Sequence, residues 1–249
     1  MTTLAEDAAL ARRIAESAGR VLMEIRGSGL FAGKALGKAG DCVANRFILE
    51  ALAQARPDDA ILSEEEQDDA TRLSAERVWI VDPLDGTREY SEGRSDWAVH
   101  VALSVGGRAA AGAVALPALG VTLASDTPPV LPPPHGGAPR MLVSRSRPAE
   151  QAVAVAQAIG AELIAMGSAG AKAMAVVRGE ADIYLHTGGQ YEWDNCAPVA
   201  VAAAAGLHVS RIDGQPLVYN CANPYLPDLL ICRLEAAPRL LALVAELSA

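Results

Sequence analysis

The sequence predicts an α/β protein of two closely packed halves, and three observations lead there. Beyond residue 140, short apolar strands alternate with helical segments, the order that layered sheets and helices require. Before it, an amphipathic helical start leads to a wholly apolar strand, Val78-Trp79-Ile80-Val81, of the kind buried on both faces. Between them, Thr127 to Pro139 holds six prolines and two glycines and reads as a linker. The expected halves are therefore 1–126 and 140–249, joined by 127–139. A chain of 249 residues with 51% hydrophobic content can bury a sizeable core.

Taken in order, Leu4, Ala8, Ala11, Ala15, Ala18, Leu22 and Ile25 recur at three- and four-residue steps, which predicts a helix over Leu4 to Ile25. Gly27 to Gly40 carries five glycines and two lysines (Lys34 and Lys38), and is expected to be a mobile loop. A second helix is expected from Val43 to Ala55, ending before Pro57. Ala60 to Ser63 is a short strand that delivers the acidic run Glu64-Glu65-Glu66. Trp97 to Val105 and Ala109 to Leu116, separated by Gly106-Gly107, read as a hairpin. The second half follows with strand Met141 to Ser144, helix Ala149 to Ile159, strand Leu163 to Met166, helix Ala169 to Arg178 and strand Ala181 to His186. A helix from Trp193 to Ala205, further short strands and a helix from Pro238 to Leu247 complete it.

Composition narrows the function. A net charge of -9 opposes an electrostatic grip on a nucleic-acid backbone. It leaves room for a small anionic substrate, because bound cations invert the local field. The four cysteines, Cys42, Cys196, Cys221 and Cys232, have no Cys-x-x-Cys spacing and read as reduced thiols. No basic segment followed by an apolar one opens the chain, and the most apolar stretch, Ala197 to Val209, is interrupted by Pro198 and Gly206. A cytoplasmic protein without membrane association is expected.

The chemistry concentrates in carboxylates. Asp82 and Asp85 close the apolar strand, three positions apart, and a regular strand would send them to opposite faces. Pro83 and Gly86 are expected to supply a turn that brings them together and exposes the Leu84 carbonyl. Gly86 and Thr87 then offer backbone N–H groups to a phosphate if a helix begins there. Glu64 and Asp194 add two more acids, and carboxylate, carbonyl and water oxygens are what Mg²⁺ accepts. Each residue also has a plainer reading. Asp-Pro-x-Asp-Gly makes ordinary turns, Glu64 to Glu66 with Asp68-Asp69 makes a solvated face, and Asp41 and Asp194 make helix caps.

The histidines His100, His135, His186 and His208 lack metal-ligand spacing to one another, and His100 reads as a core residue. Arg88 reads as a phosphate contact or as an ion-pair partner of Glu89 or Glu92. Lys34 and Lys38 read as solvated or as closing over an anion, and Tyr191 as a base-stacking or a packing residue.

Ser63-Glu64-Glu65, Asp82-Pro83-Leu84-Asp85-Gly86-Thr87 and Trp193-Asp194 resemble, in order and separation, the signature blocks of the inositol monophosphatase-like, lithium-sensitive phosphatases. Arg88-Glu89-Tyr90, Glu192-Trp193-Asp194 and Gly167-Ser168 with Lys172 resemble the CysQ branch, the 3′(2′),5′-bisphosphate nucleotidases, in its actinobacterial form. The resemblance implies a layered αβαβα sugar-phosphatase fold, two or three Mg²⁺ ions, lithium sensitivity and a homodimer. It implies one cation on Glu64, Asp82 and the Leu84 carbonyl, and a second among Asp82, Asp85 and Asp194. It implies that Thr87, partnered by Asp41, activates the attacking water, and that Ser168 and Gly86 lie on the substrate side. Gly37-Lys38-Ala39-Gly40-Asp41 departs from the family's Val-Thr-x-x-Asp, which leaves the register of Asp41 open. The implied reaction converts 3′-phosphoadenosine 5′-phosphate to AMP. An inositol-1-phosphate or fructose-1,6-bisphosphate phosphatase, or a regulatory binding protein, are the alternatives.

Overall fold

The first helix, α1 (Leu4–Gly27), starts where Thr3 and Glu6 form a reciprocal capping box. Its three- and four-residue apolar stripe is buried, as the periodicity predicts. The computed structural model describes residues 2–68, 70–134 and 136–247; Asp69 and His135 lie outside the described residues.

Helix α2 spans Gly33–Ala55 and so absorbs most of the segment expected to be a loop. Glycine is a poor helix former, but tertiary packing requires it here. A methyl group on Gly37 would sit 2.7 Å from Thr87 Cγ2, and one on Gly40 would sit 3.0 Å from Leu22 Cδ2. The glycines fall at helical spacing on the face that packs against the rest of the molecule. Lys34 and Lys38 consequently sit on the exposed side of a helix.

Five strands form the first sheet: β1 (Ala60–Ser63), β2 (Arg77–Asp85), β3 (Ala98–Val105), β4 (Arg108–Leu116) and β5 (Val121–Ala124). They are ordered β1-β2-β3-β4-β5, with β1 parallel to β2 and the remaining pairs antiparallel. The β3–β4 hairpin turns on Gly106-Gly107, and β5 is a strand the sequence reading missed. A short helix, α3 (Thr87–Ser91), follows β2 directly.

The second sheet joins β6 (Arg140–Ser144), β7 (Glu162–Met166), β8 (Ile183–His186), β10 (His208–Ser210) and β12 (Leu229–Cys232) in the order β10-β12-β8-β6-β7. A small ribbon pairs β9 (Gln190–Tyr191) with β11 (Tyr225–Leu226). Helices α4 (Glu150–Ile159), α5 (Ala169–Val177), α6 (Glu192–Ala204) and α7 (Ala237–Leu247) complete the chain.

Three apolar clusters stack these elements into five layers. Helices α1 and α2 cover one face of the first sheet. Helices α5 and α6 fill the space between the two sheets, meeting Val78, Ile80 and Ala98 from one and Leu142, Tyr184 and Ile231 from the other. Helices α4 and α7 cover the outer face of the second sheet. The result is an α-β-α-β-α sandwich whose middle layer presents the start of α6 to the end of β2. Among the described residues, no helix is long and apolar enough to cross a membrane.

Candidate active site

Strand pairing delivers the first acids. Ser63 is in register with Val81, and the Glu64 N–H donates to the Val81 carbonyl at 3.2 Å, which places Glu64 beside Asp82. Asn45 on α2 fixes the same turn: it accepts from Ser63 Oγ and donates to Glu66 Oε1, both at 2.8 Å.

A β-bulge, rather than a turn at Pro83, brings Asp82 and Asp85 to one side. Asp82 pairs with His100 and Asp85 with Ala98, so three steps on β2 oppose two on β3. One extra residue reverses the strand's parity. Strand β2 therefore continues through the proline to Asp85, and Asp82 Oδ1 accepts from the Leu84 N–H at 3.0 Å. Gly86 then turns with φ +88 into α3.

Asp85 is bound tightly by the protein. It accepts from Ser168 Oγ (2.5 Å), Ala169 N (3.1 Å) and Gly170 N (2.6 Å), and His100 Nε2 lies 3.2 Å away. Burial raises its pKa, but His100, Ser168 and the Gly170 N–H outweigh that and bring it to about 2. Ser168 caps α5 by accepting from Ala171 N, with its own backbone at φ 36 in the left-handed region. Such strain persists only when its surroundings hold it. Here Asp96 accepts from Gly167 N, and buried Lys172 Nζ donates to the Gly167 and Ser168 carbonyls, all at 2.7 Å.

Asp194 enters from the first turn of α6 and accepts from Tyr191 N at 2.6 Å, so it does serve as a cap. It also joins Asp82 and Asp85 in a cluster whose carboxylate oxygens lie within 4.8 Å of one another. The electrostatics are unbalanced. Burial raises Asp82 well above the usual carboxylate range, and Glu64, Asp85 and Asp194 push it further. Burial and the charges of Asp194, Asp85 and Glu65 lift Glu64 to about 7 despite a hydrogen bond with Asp82. Burial and Asp85 lift Asp194 to about 6. Converging hard oxygen donors that repel one another fit a divalent cation, which reverses the local field.

Asp41 is not a cap before a helix. It lies inside α2, buried, with Oδ1 lacking a hydrogen-bond partner. Burial, Glu65 and Glu64 raise it to about 7, with Thr87 opposing them. Thr87 Oγ1 donates to the Leu84 carbonyl at 3.1 Å. Asp41, Thr87 and Leu84 thus form a second edge of the site beside Glu64.

This arrangement coincides with a sequence-family match: the inositol monophosphatase family matches residues 4–127 and 140–248. The chain belongs to the inositol monophosphatase family. The segment that the family match omits, 128–139, falls within the proline-rich stretch. A 3′-phosphoadenosine 5′-phosphate phosphatase of Mycobacterium leprae is 50% identical over 254 residues, covering 96% of this chain and 94% of that protein. The 3′(2′),5′-bisphosphate nucleotidase CysQ of Escherichia coli K12 is 30% identical over 199 residues, covering 76% and 81%. Among solved structures, CysQ from Bacteroides thetaiotaomicron shares the fold with a TM-score of 0.75, at 24% identity over 92% of this chain and 97% of that one. An inositol monophosphatase from Zymomonas mobilis gives a TM-score of 0.78, at 20% identity over 98% and 100%.

Other residues resolve differently from one another. Arg88 pairs with Glu92 at 2.8 Å on the surface, the plainer of its two readings. Tyr191 stacks on Trp193 with ring centroids 4.8 Å apart, meets Tyr225 edge-on at 5.9 Å and keeps 45% exposure. His100 is a buried strand histidine, yet it connects two parts of this family member's site: Nδ1 lies 2.9 Å from the Trp193 carbonyl, and Nε2 faces Asp85. A lone polar residue within the apolar run Ala98 to Leu103 was its only signal. Asn45 carried none, because its partners come from β1 and the turn after it.

Proposed function

We propose that this protein hydrolyses the 3′-phosphate of 3′-phosphoadenosine 5′-phosphate, giving AMP and phosphate in sulfur assimilation. The observation that carries this reading is the half-identical mycobacterial relative, aligned over nearly the whole chain and named for that activity. The intact carboxylate cluster supports it. Glu64, Asp82, Asp85, Asp194 and the Leu84 carbonyl are the groups that would hold Mg²⁺. When bound, such ions neutralise phosphate charge and lower the pKa of a bound water.

The chain's own residues divide the remaining work. Asp41, raised to about 7, is suited to accept the proton of the attacking water, with the Thr87 hydroxyl orienting that water. Water oxygen bonds to phosphorus as the ribose oxygen leaves, and no covalent phosphoenzyme is required. Ser168 acts through Asp85, whose position it fixes, and lies with Gly86 beside the substrate. The aromatic group of Tyr191, Trp193 and Tyr225 next to Asp194, with both tyrosines exposed, is suited to pack against a base. The same reading places the enzyme in the cytoplasm as a lithium-sensitive homodimer.

The test is phosphate release with Mg²⁺ from 3′-phosphoadenosine 5′-phosphate, inositol 1-phosphate and fructose 1,6-bisphosphate. A kcat/KM preference for the nucleotide of about a hundredfold, ~2.7 kcal/mol, is expected. Comparable rates on all three contradict the nucleotide assignment, and no release from any contradicts the phosphatase reading itself.

A further inference from the structure

We propose that Arg72, Asn220 and Glu192 form a positioning clamp that sets the separation between Glu64 and Asp194. This rests on the reading of those two acids as cation ligands. Glu64 is followed in the chain by Asp68 and a 3₁₀ turn (Thr71–Ser74), while Asp194 belongs to α6 in the middle layer. The β1–β2 pairing and the His100–Trp193 contact already relate these supports, and a second tie joins them from the other end.

The tie is a half-buried hydrogen-bond chain anchored on two buried side chains, Arg72 and Glu192. Arg72 is 1% exposed, an unusual environment for arginine that demands partners. It donates to Asn220 Oδ1 at 2.8 Å and the Cys221 carbonyl at 3.0 Å, 148 and 149 residues away in sequence. Its other face is held by Asp68 at 2.6 Å, in the segment that follows Glu64. Asn220 answers by donating Nδ2 to the Arg72 carbonyl at 3.0 Å. The backbone N–H groups of Asn220 and Cys221 then donate to the two carboxylate oxygens of Glu192, at 2.7 and 2.8 Å. Glu192 is fully buried, opens α6 and stands two residues before Asp194. Asn220 itself holds a left-handed φ of 58.

A carboxylate receiving two adjacent backbone N–H groups, backed by an arginine fork, fixes both distance and orientation. The segment after Glu64 is thereby fastened to the start of α6 through the 220–221 backbone. The link runs from Arg72 through Asn220 and Cys221 to Glu192, two residues before Asp194.

Two variants separate positioning from plain stability. Asn220→Gly keeps a residue at ease in the left-handed region while deleting the side-chain link. Arg72→Lys keeps the charge and loses the fork. The readout is calorimetric Mg²⁺ affinity of the metal-free protein, with thermal unfolding recorded alongside. Each variant is expected to bind Mg²⁺ about tenfold more weakly, the size typical of groups that orient metal ligands. Combined, they should weaken it no further than the stronger single change, because both cut one chain. Folded variants whose affinity stays within about twofold of wild type overturn the clamp even if their Tm falls. If the wild-type protein itself fails to bind Mg²⁺, the cation-site reading and the clamp fall together.

Discussion

Two sides of one site treat their carboxylates in opposite ways. On the α5 side, Asp85 meets a helix start, a serine hydroxyl and a histidine, and ionises at about 2. On the β1–α2 side, Glu64 repels both Asp82 and Asp41, and all three are raised, two of them to about 7. Asp82 and Asp85 stand three residues apart on one strand, so the contrast comes from their surroundings and not from the segment that carries them. The protein has satisfied the charge of Asp85 internally, whereas Asp82 and Glu64 repel one another and would be relieved by a cation. An anchored carboxylate beside repelling ones would fix where an ion binds without making the fold depend on that ion.

The sharpest way to break this comparison is Asp82→Asn. Turnover should fall by about a thousandfold, ~4 kcal/mol of barrier, while the metal-free variant should melt at a higher temperature because a buried repulsion is gone. Retention of more than about a tenth of activity, ~1.4 kcal/mol, contradicts the assignment. Phosphate release and thermal unfolding together check it.

The anchored side should respond differently. In Gly170→Ala, the new Cβ would lie 2.0 Å from His100 Nε2, so α5 or the imidazole must move and loosen the hold on Asp85. A stability loss of ~1–3 kcal/mol is expected from such overpacking, with an activity loss of about tenfold. Chemical denaturation and steady-state kinetics measure both. In Gly37→Ala, the Cβ meets Thr87 Cγ2 at 2.7 Å. This change should lower kcat more than it lowers stability, since the disturbed groups are Thr87 and Ser91, whose hydroxyl donates to the Thr87 carbonyl.

Much of this site was legible because its pieces are local. The Asp82 to Thr87 block announces itself in consecutive residues, and a wholly apolar strand leading into it marks a buried strand end. The bulge was not legible, since it exists only in the pairing of β2 with β3. The start of α2 was misread because glycine disfavours helix in isolation, and the close approach of α3 that favours it here is tertiary. His100 read as core, which it is, but its partners Asp85 and Trp193 come from other elements. Arg72 and Asn220, 148 residues apart, left no local trace at all.

The smallest expected effect is on metal-free stability against pH. Asp41, Glu64 and Asp194 have raised pKa values, so their ionised forms destabilise the fold at neutral pH. Stability should therefore increase as pH falls from about 7 toward the ordinary carboxylate range. Asp85 has the opposite sign: its contribution is complete above the usual 3.8 and is lost as pH falls toward about 2. Saturating Mg²⁺ should flatten the upper part of this profile, and a thermal-shift series with and without the ion reads it directly.

The central claim, that a cation would relieve the raised acids Asp82, Glu64 and Asp194 while Asp85 is already ionised by its protein partners, is tested most directly by the protons that Mg²⁺ displaces. Calorimetric titration of the metal-free protein near pH 6, repeated in buffers of different ionisation enthalpy, counts them. The account predicts net proton release in the wild type and a smaller release in Asp82→Asn. Mg²⁺ binding without proton release in any buffer would contradict it.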